Sequence, residues 1–256
     1  MTLDIPFVRP DSLKYPERVG AAMDQWARRD MHEPDFAILK RCIGQPTVVY
    51  DVGGNIGNSI VSIAVANPMA QVHSFEPNPG LWPVLAGVQA ILPCAVEVYH
   101  FGLAERDEVV SFYIPVVDGT HIVGEASPIL SHFNELIVAE RLRSYSSKHN
   151  FEIVRTEVAM RRFDGLQGLP LPDLVKIDVE GAERDVLMGM RDMLSKHYPC
   201  VMVETDRSGR VDGVMMQMGY EPYLFDVATD RLYPRGVEVP LNSFYLHPRT
   251  PMIWRC

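Results

Sequence analysis

The sequence predicts an α/β fold: a mostly parallel sheet with helices on both faces. Three observations carry that reading. From Thr47 onward, β-branched runs alternate with helical stretches, the rhythm of a parallel sheet covered on both sides. The first run, Thr47-Val48-Val49-Tyr50, has the character of a buried strand. The chain has 256 residues, enough for one well-buried core with a small appendage.

The elements follow in order. Prolines at 6, 10 and 16 keep the start extended because their φ angle is fixed. Pro16 can open a helix toward Arg29, in which Val19, Met23, Trp26 and Ala27 share one face. A second short helix, from Asp35 to Cys42, would turn Phe36, Leu39 and Ile43 inward. Residues 1–45 are therefore expected to form a helical cap. It could cover the core, act as a lid over a bound substrate, or pair two copies into a homodimer. The main domain is expected over residues 46–248 and a tail over 249–256. Asn58-Ser59 can cap a helix that runs to Ala66 and ends at Asn67-Pro68, although its β-branched content also suits a strand. Gln71–Phe75 reads as a strand. Leu81–Ile91 reads as a helix entered through Pro79 or Pro83. Glu97–Phe101 and Val109–Ile114 read as strands. Residues 115–150 then break the rhythm, with Asp118–His121 loop-like and Ser131–Ser144 helical in composition. Insertions of this kind tend to sit over active sites, so this one is an expected lid. Leu174–Ile177 resumes as a strand and Ala182–Lys196 as a helix. Val201–Val203 is a strand, and Val211–Met218 is a helix stopped by Gly219. Tyr223–Phe225 and Ser243–Leu246 are expected to close the sheet as a hairpin or edge pair.

Composition narrows the function. Hydrophobic residues make up 47% and charged residues 22%, ordinary for a soluble globular protein. The net charge is −9, from 33 acidic against 24 basic residues. That balance argues against nucleic acid, whose binding runs on clustered Lys and Arg. The four cysteines, Cys42, Cys94, Cys200 and Cys256, form no C-x-x-C pair. Such scattered thiols suit a reducing compartment. The first residues have no signal-peptide pattern, and no apolar run is long enough to span a bilayer. A cytoplasmic protein with no membrane partner is expected.

Three constellations carry chemistry. The first is Asp51-x-Gly53-Gly54-x-x-Gly57, after a strand and before a helix. Glycines there let backbone approach a ligand, and the helix start offers free N–H groups. The spacing differs from the dinucleotide G-x-G-x-x-G. The second is Glu76, which ends the next strand. An acid some twenty residues past a glycine turn is where doubly wound folds hold ribose hydroxyls. The third is the run from Asp173 to Glu183, with acids where a strand passes into a helix. Glu180 and Glu183 can be explained by the positive end of that helix. Asp178 at the strand tip, and Glu204 at the tip of the following strand, could face one crevice. They could bind a hard cation, orient a substrate or act as base.

At this point the residues resemble a known family. The run DVGGNIG, then SFEPNP, LPDLVKIDVEGAERDVLMGM and PCVMVETD, is similar to the FkbM-type S-adenosylmethionine-dependent methyltransferases over roughly residues 46–247. Gly54 stands where that family more often has Ala. The resemblance implies a class I methyltransferase, or Rossmann-like, fold with a seven-stranded sheet. It implies that S-adenosylmethionine is the cofactor, with Asp51, Gly53, Asn55 and Gly57 around its methionine part and the turn beneath it. It places Glu76 at the ribose, Gly102 and Leu103 near adenine, and Asp178 along the methyl-transfer crevice. Many such enzymes methylate hydroxyls of natural products or sugars. Residues 115–150 match no family motif.

Methyl transfer from a sulfonium is an in-line displacement, so the protein mainly aligns donor and acceptor. A hydroxyl acceptor must also lose its proton. His121, His132, Asp178 and Glu204 are the candidate bases. Asp178 and Glu204 are also candidate ligands for Mg2+, which would lower the hydroxyl pKa. The working expectation is O-methylation of a small polar metabolite, with a small-molecule acceptor as partner. N-methylation stays open, since the cofactor motifs do not report the acceptor atom. A nicotinamide-dependent oxidoreductase is disfavoured by the missing glycine spacing. A non-catalytic protein that keeps the cofactor pocket is the remaining alternative.

Overall fold

The computed structural model describes residues 7–9, 18–118, 120–122, 126–134, 151–205, 208–237 and 240–255. Near the N-terminus lie helix α1 (Arg18–Arg28) and a 3-10 helix (Pro34–Cys42). The expected alternation follows: β1 (Val48–Val52), α2 (Asn58–Ala66), β2 (Gln71–Phe75), α3 (Trp82–Ile91) and β3 (Ala95–Tyr99). Next come β4 (Gly102–Leu103), β5 (Glu108–Val117), β6 (Thr120–His121) and β7 (Phe151–Arg161). The chain then runs through β8 (Leu174–Ile177), α4 (Glu183–Gly189), α5 (Arg191–His197), β9 (Cys200–Glu204) and α6 (Arg210–Gln217). It closes with β10 (Glu221–Asp226), β11 (Arg231–Pro234) and β12 (Asn242–Leu246).

The main sheet has the order β11-β10-β12-β9-β8-β1-β2-β3. The stretch from β9 to β3 is parallel. β12, β10 and β11 join antiparallel. Seven of these are the expected set, and β11 is an eighth strand on the edge. Helices cover both faces. α2 and the Pro34–Cys42 helix pack on Val49, Val72, Leu174 and Met202. α4, α5 and α6 pack on Tyr50, Val52, Phe75, Val175, Ile177 and Val203. α2 is helical despite its β-branched residues, because nearly the whole segment is buried and tertiary packing overrides propensity. Asn67 ends it by donating to the carbonyls of Cys42 (3.1 Å) and Gln45 (3.4 Å).

Several elements depart from expectation. Met23 is 49% exposed and Ile43 61% exposed, so neither faces inward. Among the described side chains of α1, Ala22 and Gln25 are buried. Gln25 Nε2 donates to Asn58 O and Ser62 Oγ of α2, each at 3.1 Å, a polar junction that apolar periodicity does not reveal. Val109–Ile114 belongs to a second sheet, ordered β4-β7-β5-β6. β5 and β7 pair antiparallel from Glu108↔Met160 to Val117↔Phe151. The interruption is therefore the whole hairpin 108–161, not 115–150 alone. Thr120 and His121 are not loop but β6, pairing back on Val117 and Val116. Of the expected helix Ser131–Ser144, only a 3-10 turn at Leu130–Asn134 lies among the described residues.

The expected helix 182–196 is two helices, α4 and α5. A Cβ on Gly189 would lie 1.9 Å from the Ala104 carbonyl oxygen, so backbone presses on backbone where α4 ends. Asp164 then caps α5, accepting from the amides of Asp192 (2.9 Å) and Met193 (3.1 Å). Such a cap satisfies donors that a helix start leaves free. The tail is part of the core: Trp254 is buried in the α2-side cluster. No helix among the described residues is long and apolar enough to cross a membrane.

Candidate functional site

Strand register assembles the site. Asp51 of β1 sits directly beside Ser74 of β2 and Lys176 of β8. Paired residues in neighbouring strands put their side chains on one face. Ser74 Oγ accordingly donates to Asp51 Oδ2 at 2.8 Å. Lys176 Nζ lies 3.4 Å from Asp51 Oδ1 and 3.5 Å from Asp178 Oδ2, and donates to Gly53 O at 3.1 Å. This lysine is buried. Burial works against its charge, but the carboxylates of Asp178, Asp51 and Glu33 outweigh that and hold it protonated. Lys176 thus ties the glycine turn to the strand that carries Asp178. Sequence reasoning passed over it. The signal was available, since a lone cation in an apolar strand must be paired when buried.

One residue beyond the last register row stand Glu76, Gly53, Asp178 and Glu204, each at the tip of its strand. Gly53 has φ +85°, and a Cβ there would lie 1.8 Å from Asp178 O. Only glycine lets the two strand tips approach so closely. The cleft above them is lined by Gly53, Asn55, Glu76, Asn78, Asp178 and Glu180 on the polar side. Its apolar wall includes Leu81, Leu103, Phe112, Ala126, Pro128 and Met160. Four of those six come from the 108–161 hairpin, which is how the insertion reaches the site.

Glu76 is buried, and its carboxylate accepts from the amides of Asn55 (2.7 Å) and Asn78 (2.8 Å). Burial pushes its pKa up to about 7, the two amides pulling the other way. Asp178, Glu180 and Glu204 bring carboxylate oxygens within 4.8 Å of one another. Burial, then the charges of Asp178 and Glu180, raise the pKa of Glu204 far above the usual carboxylate range. Glu183 plays a different part: its Oε1 accepts from the amides of Val179 (3.2 Å) and Gly181 (3.0 Å) and shapes the turn.

The remaining expected site residues sort as follows. Gly102 and Leu103 line the cleft. Asp51 lies beneath it. Gly57 has φ +87°, and a Cβ there would meet Val88 at 3.0 Å, so this glycine seats α2 on α3 and does not line the cleft. His121 is on β6 beside Val116, near Glu152, and is not among the lining residues. Burial lowers its pKa. His132 falls in the Leu130–Asn134 turn, and its side chain lies outside the described residues. Glu33 and Asp35, at the start of the 3-10 helix, accept from Asn242 Nδ2 at 2.9 and 3.0 Å. Asn242 pairs with Glu204, so the N-terminal cap reaches the edge of the acidic group. Cys42, Cys94 and Cys200 are buried free thiols.

The family model described as the methyltransferase FkbM domain matches residues 51–222, from the glycine turn through the acidic strand tips. The chain belongs to the FkbM methyltransferase family. Among relatives of this FkbM chain is the AMB antimetabolite synthetase AmbE of Pseudomonas aeruginosa, 34% identical over 218 residues, which cover 77% of this chain and 10% of that protein. Another is the hexuronic acid methyltransferase AglP of Haloferax volcanii, 28% identical over 178 residues, which cover 69% of this chain and 64% of AglP. The chain thus spans a tenth of the first relative and under two thirds of the second. A crystal structure of the methyltransferase FkbM from Methylobacillus flagellatus KT is 14% identical, with a TM-score of 0.49 over 93% of this chain and 57% of that one.

The residues present fit S-adenosylmethionine, the donor that the family implies. Asn55 Oδ1 and Asn78 Nδ2 are buried without a hydrogen-bond partner among the described residues. Both residues line the cleft, so one acceptor and one donor await a polar ligand. The apolar wall beside them suits a flat base.

Proposed function

We propose that this FkbM chain transfers a methyl group from S-adenosylmethionine to a hydroxyl of a small, polar, sugar-like metabolite. The observation that carries the reading is the convergence of Asp178 and Glu180, which line the cleft with Glu76 and Asn55, with the neighbouring Glu204. Glu76 would hold the ribose hydroxyls, Gly102 and Leu103 would flank adenine, and Asn55 would meet the methionine part. When bound, the donor supplies an electrophilic methyl group on sulfur. The chain's own work is alignment and proton removal. The acceptor oxygen forms its bond to the methyl carbon as the carbon–sulfur bond breaks, and the hydroxyl proton passes to a carboxylate of the Asp178–Glu204 pair. Burial, then the charges of Asp178 and Glu180, raise the proton affinity of Glu204, which makes it the stronger base once ionised. The relation to a hexuronic acid methyltransferase supports an acceptor rich in hydroxyls.

The test is S-adenosylhomocysteine formation across a panel of sugars, sugar acids and hydroxy acids. Wild type should turn over at least one of them. Glu204→Gln should lose about 10²- to 10⁴-fold in kcat, the scale of a general base. Turnover of amines alone would overturn the hydroxyl assignment. The three carboxylates are also an oxygen set of the kind that Mg2+ takes. Activity that survives EDTA supports direct proton acceptance, and activity lost with EDTA and restored by Mg2+ would replace it.

A further inference from the structure

Ser127 belongs to the hairpin insertion, yet it touches the catalytic side of the cleft. It is fully buried. Its backbone bridges to β5, with Tyr113 N donating to Ser127 O at 2.9 Å and Ser127 N to Tyr113 O at 3.0 Å. Its hydroxyl accepts from Ile129 N at 3.0 Å and donates to Glu180 O at 2.8 Å. Ser127 is thus anchored at both its amide and its carbonyl, and its proton is spent on one carbonyl of the acidic turn.

Glu180 is an unusual place to spend it. Its φ is +53°, and that of the following Gly181 is +96°. A side-chain-bearing residue in the left-handed region is strained, so its surroundings must hold it there. Two contacts do. Glu183 binds the amides on either side of Glu180, and Ser127 binds its carbonyl from across the cleft. The Glu180 carboxylate that this bend carries has an oxygen within 4.8 Å of those of Asp178 and Glu204.

We infer that Ser127 is a positioning residue: its hydroxyl latches the insertion sheet to the 178–182 turn and so sets the Glu180 carboxylate in the acidic site. The inference rests on the proposed function for its catalytic meaning, but its test needs neither donor nor acceptor. Amide hydrogen exchange across residues 178–183 should quicken roughly five- to tenfold in Ser127→Ala, the scale of one lost hydrogen bond. Exchange in β9 should not change. Ser127→Thr keeps the hydroxyl and should exchange as wild type does. Glycine adopts positive φ unaided, so in a Glu180→Gly background Ser127→Ala should add little. Unchanged exchange in Ser127→Ala, or an equal rise in both backgrounds, would overturn the latch. Failure of wild type to bind S-adenosylmethionine would instead sink the functional reading and leave these exchange results standing.

Discussion

At the residue scale, the site turns on two buried charges that report through different measurements. Lys176 is the cation on which Asp51 and Asp178 depend. Replacing it with methionine removes the countercharge that the two acids share. The expected loss of stability is about 3–5 kcal/mol by urea denaturation, as for one half of a buried ion pair. A loss below about 1 kcal/mol would mean that the acids rearrange freely. Glu76 reports through pH. Its folded pKa, about 7, lies above the reference of 4.5. In the free protein its contribution to stability is therefore present below about pH 4.5 and lost as the pH rises through 7. Ribose hydroxyls donate to the ionised form, so donor binding has the opposite slope. Affinity should fall about tenfold per pH unit below 7, and Glu76→Gln should flatten that dependence. A pH-independent wild type would remove Glu76 from the ribose. Glu76 was legible in the sequence from its distance to the glycine turn. Lys176 was legible only as an anomaly, because Asp51 and Gly53 reach it from another strand.

At the element scale, glycines in two helices separate packing from propensity. Gly189, at the end of α4, has backbone 1.9 Å from where its Cβ would be, while Gly213 in α6 has nothing within 4 Å. Gly189→Ala should destabilise by about 1–3 kcal/mol through overpacking. Gly213→Ala should stabilise by up to about 1 kcal/mol through helix propensity and a less flexible unfolded chain. Thermal melts of the two variants check both signs. β1, β8 and β9 were legible because each is a short, mostly apolar run between clear breaks. The α4–α5 break was not, because its cause, the Ala104 carbonyl, lies some 85 residues away. β7 did carry a local signal. Val154, Thr156, Val158 and Met160 alternate with exposed or half-buried residues, the period of a half-covered strand, and that alternation passed unread.

At the scale of the whole molecule, the cleft joins parts that are far apart in the chain. The parallel sheet supplies the strand tips, the hairpin insertion supplies part of the apolar wall, and the N-terminal cap sets Glu33 and Asp35 on Asn242 beside the acidic strand tips. The half of the cleft around the glycine turn was readable in sequence because that turn, Glu76 and Asp178 follow the strand rhythm. The acidic group was not, since register alone unites Asp178 with Glu204 and the insertion alone brings Ser127 to Glu180. The central claim is that this cleft binds S-adenosylmethionine with Glu76 at the ribose, and calorimetric titration of the donor tests it most directly. Wild type should bind. Glu76→Ala should bind about 10- to 100-fold more weakly, the scale of a lost charged hydrogen bond, while still unfolding cooperatively. A folded wild type that binds no donor, or a Glu76→Ala variant that binds as tightly, would contradict it.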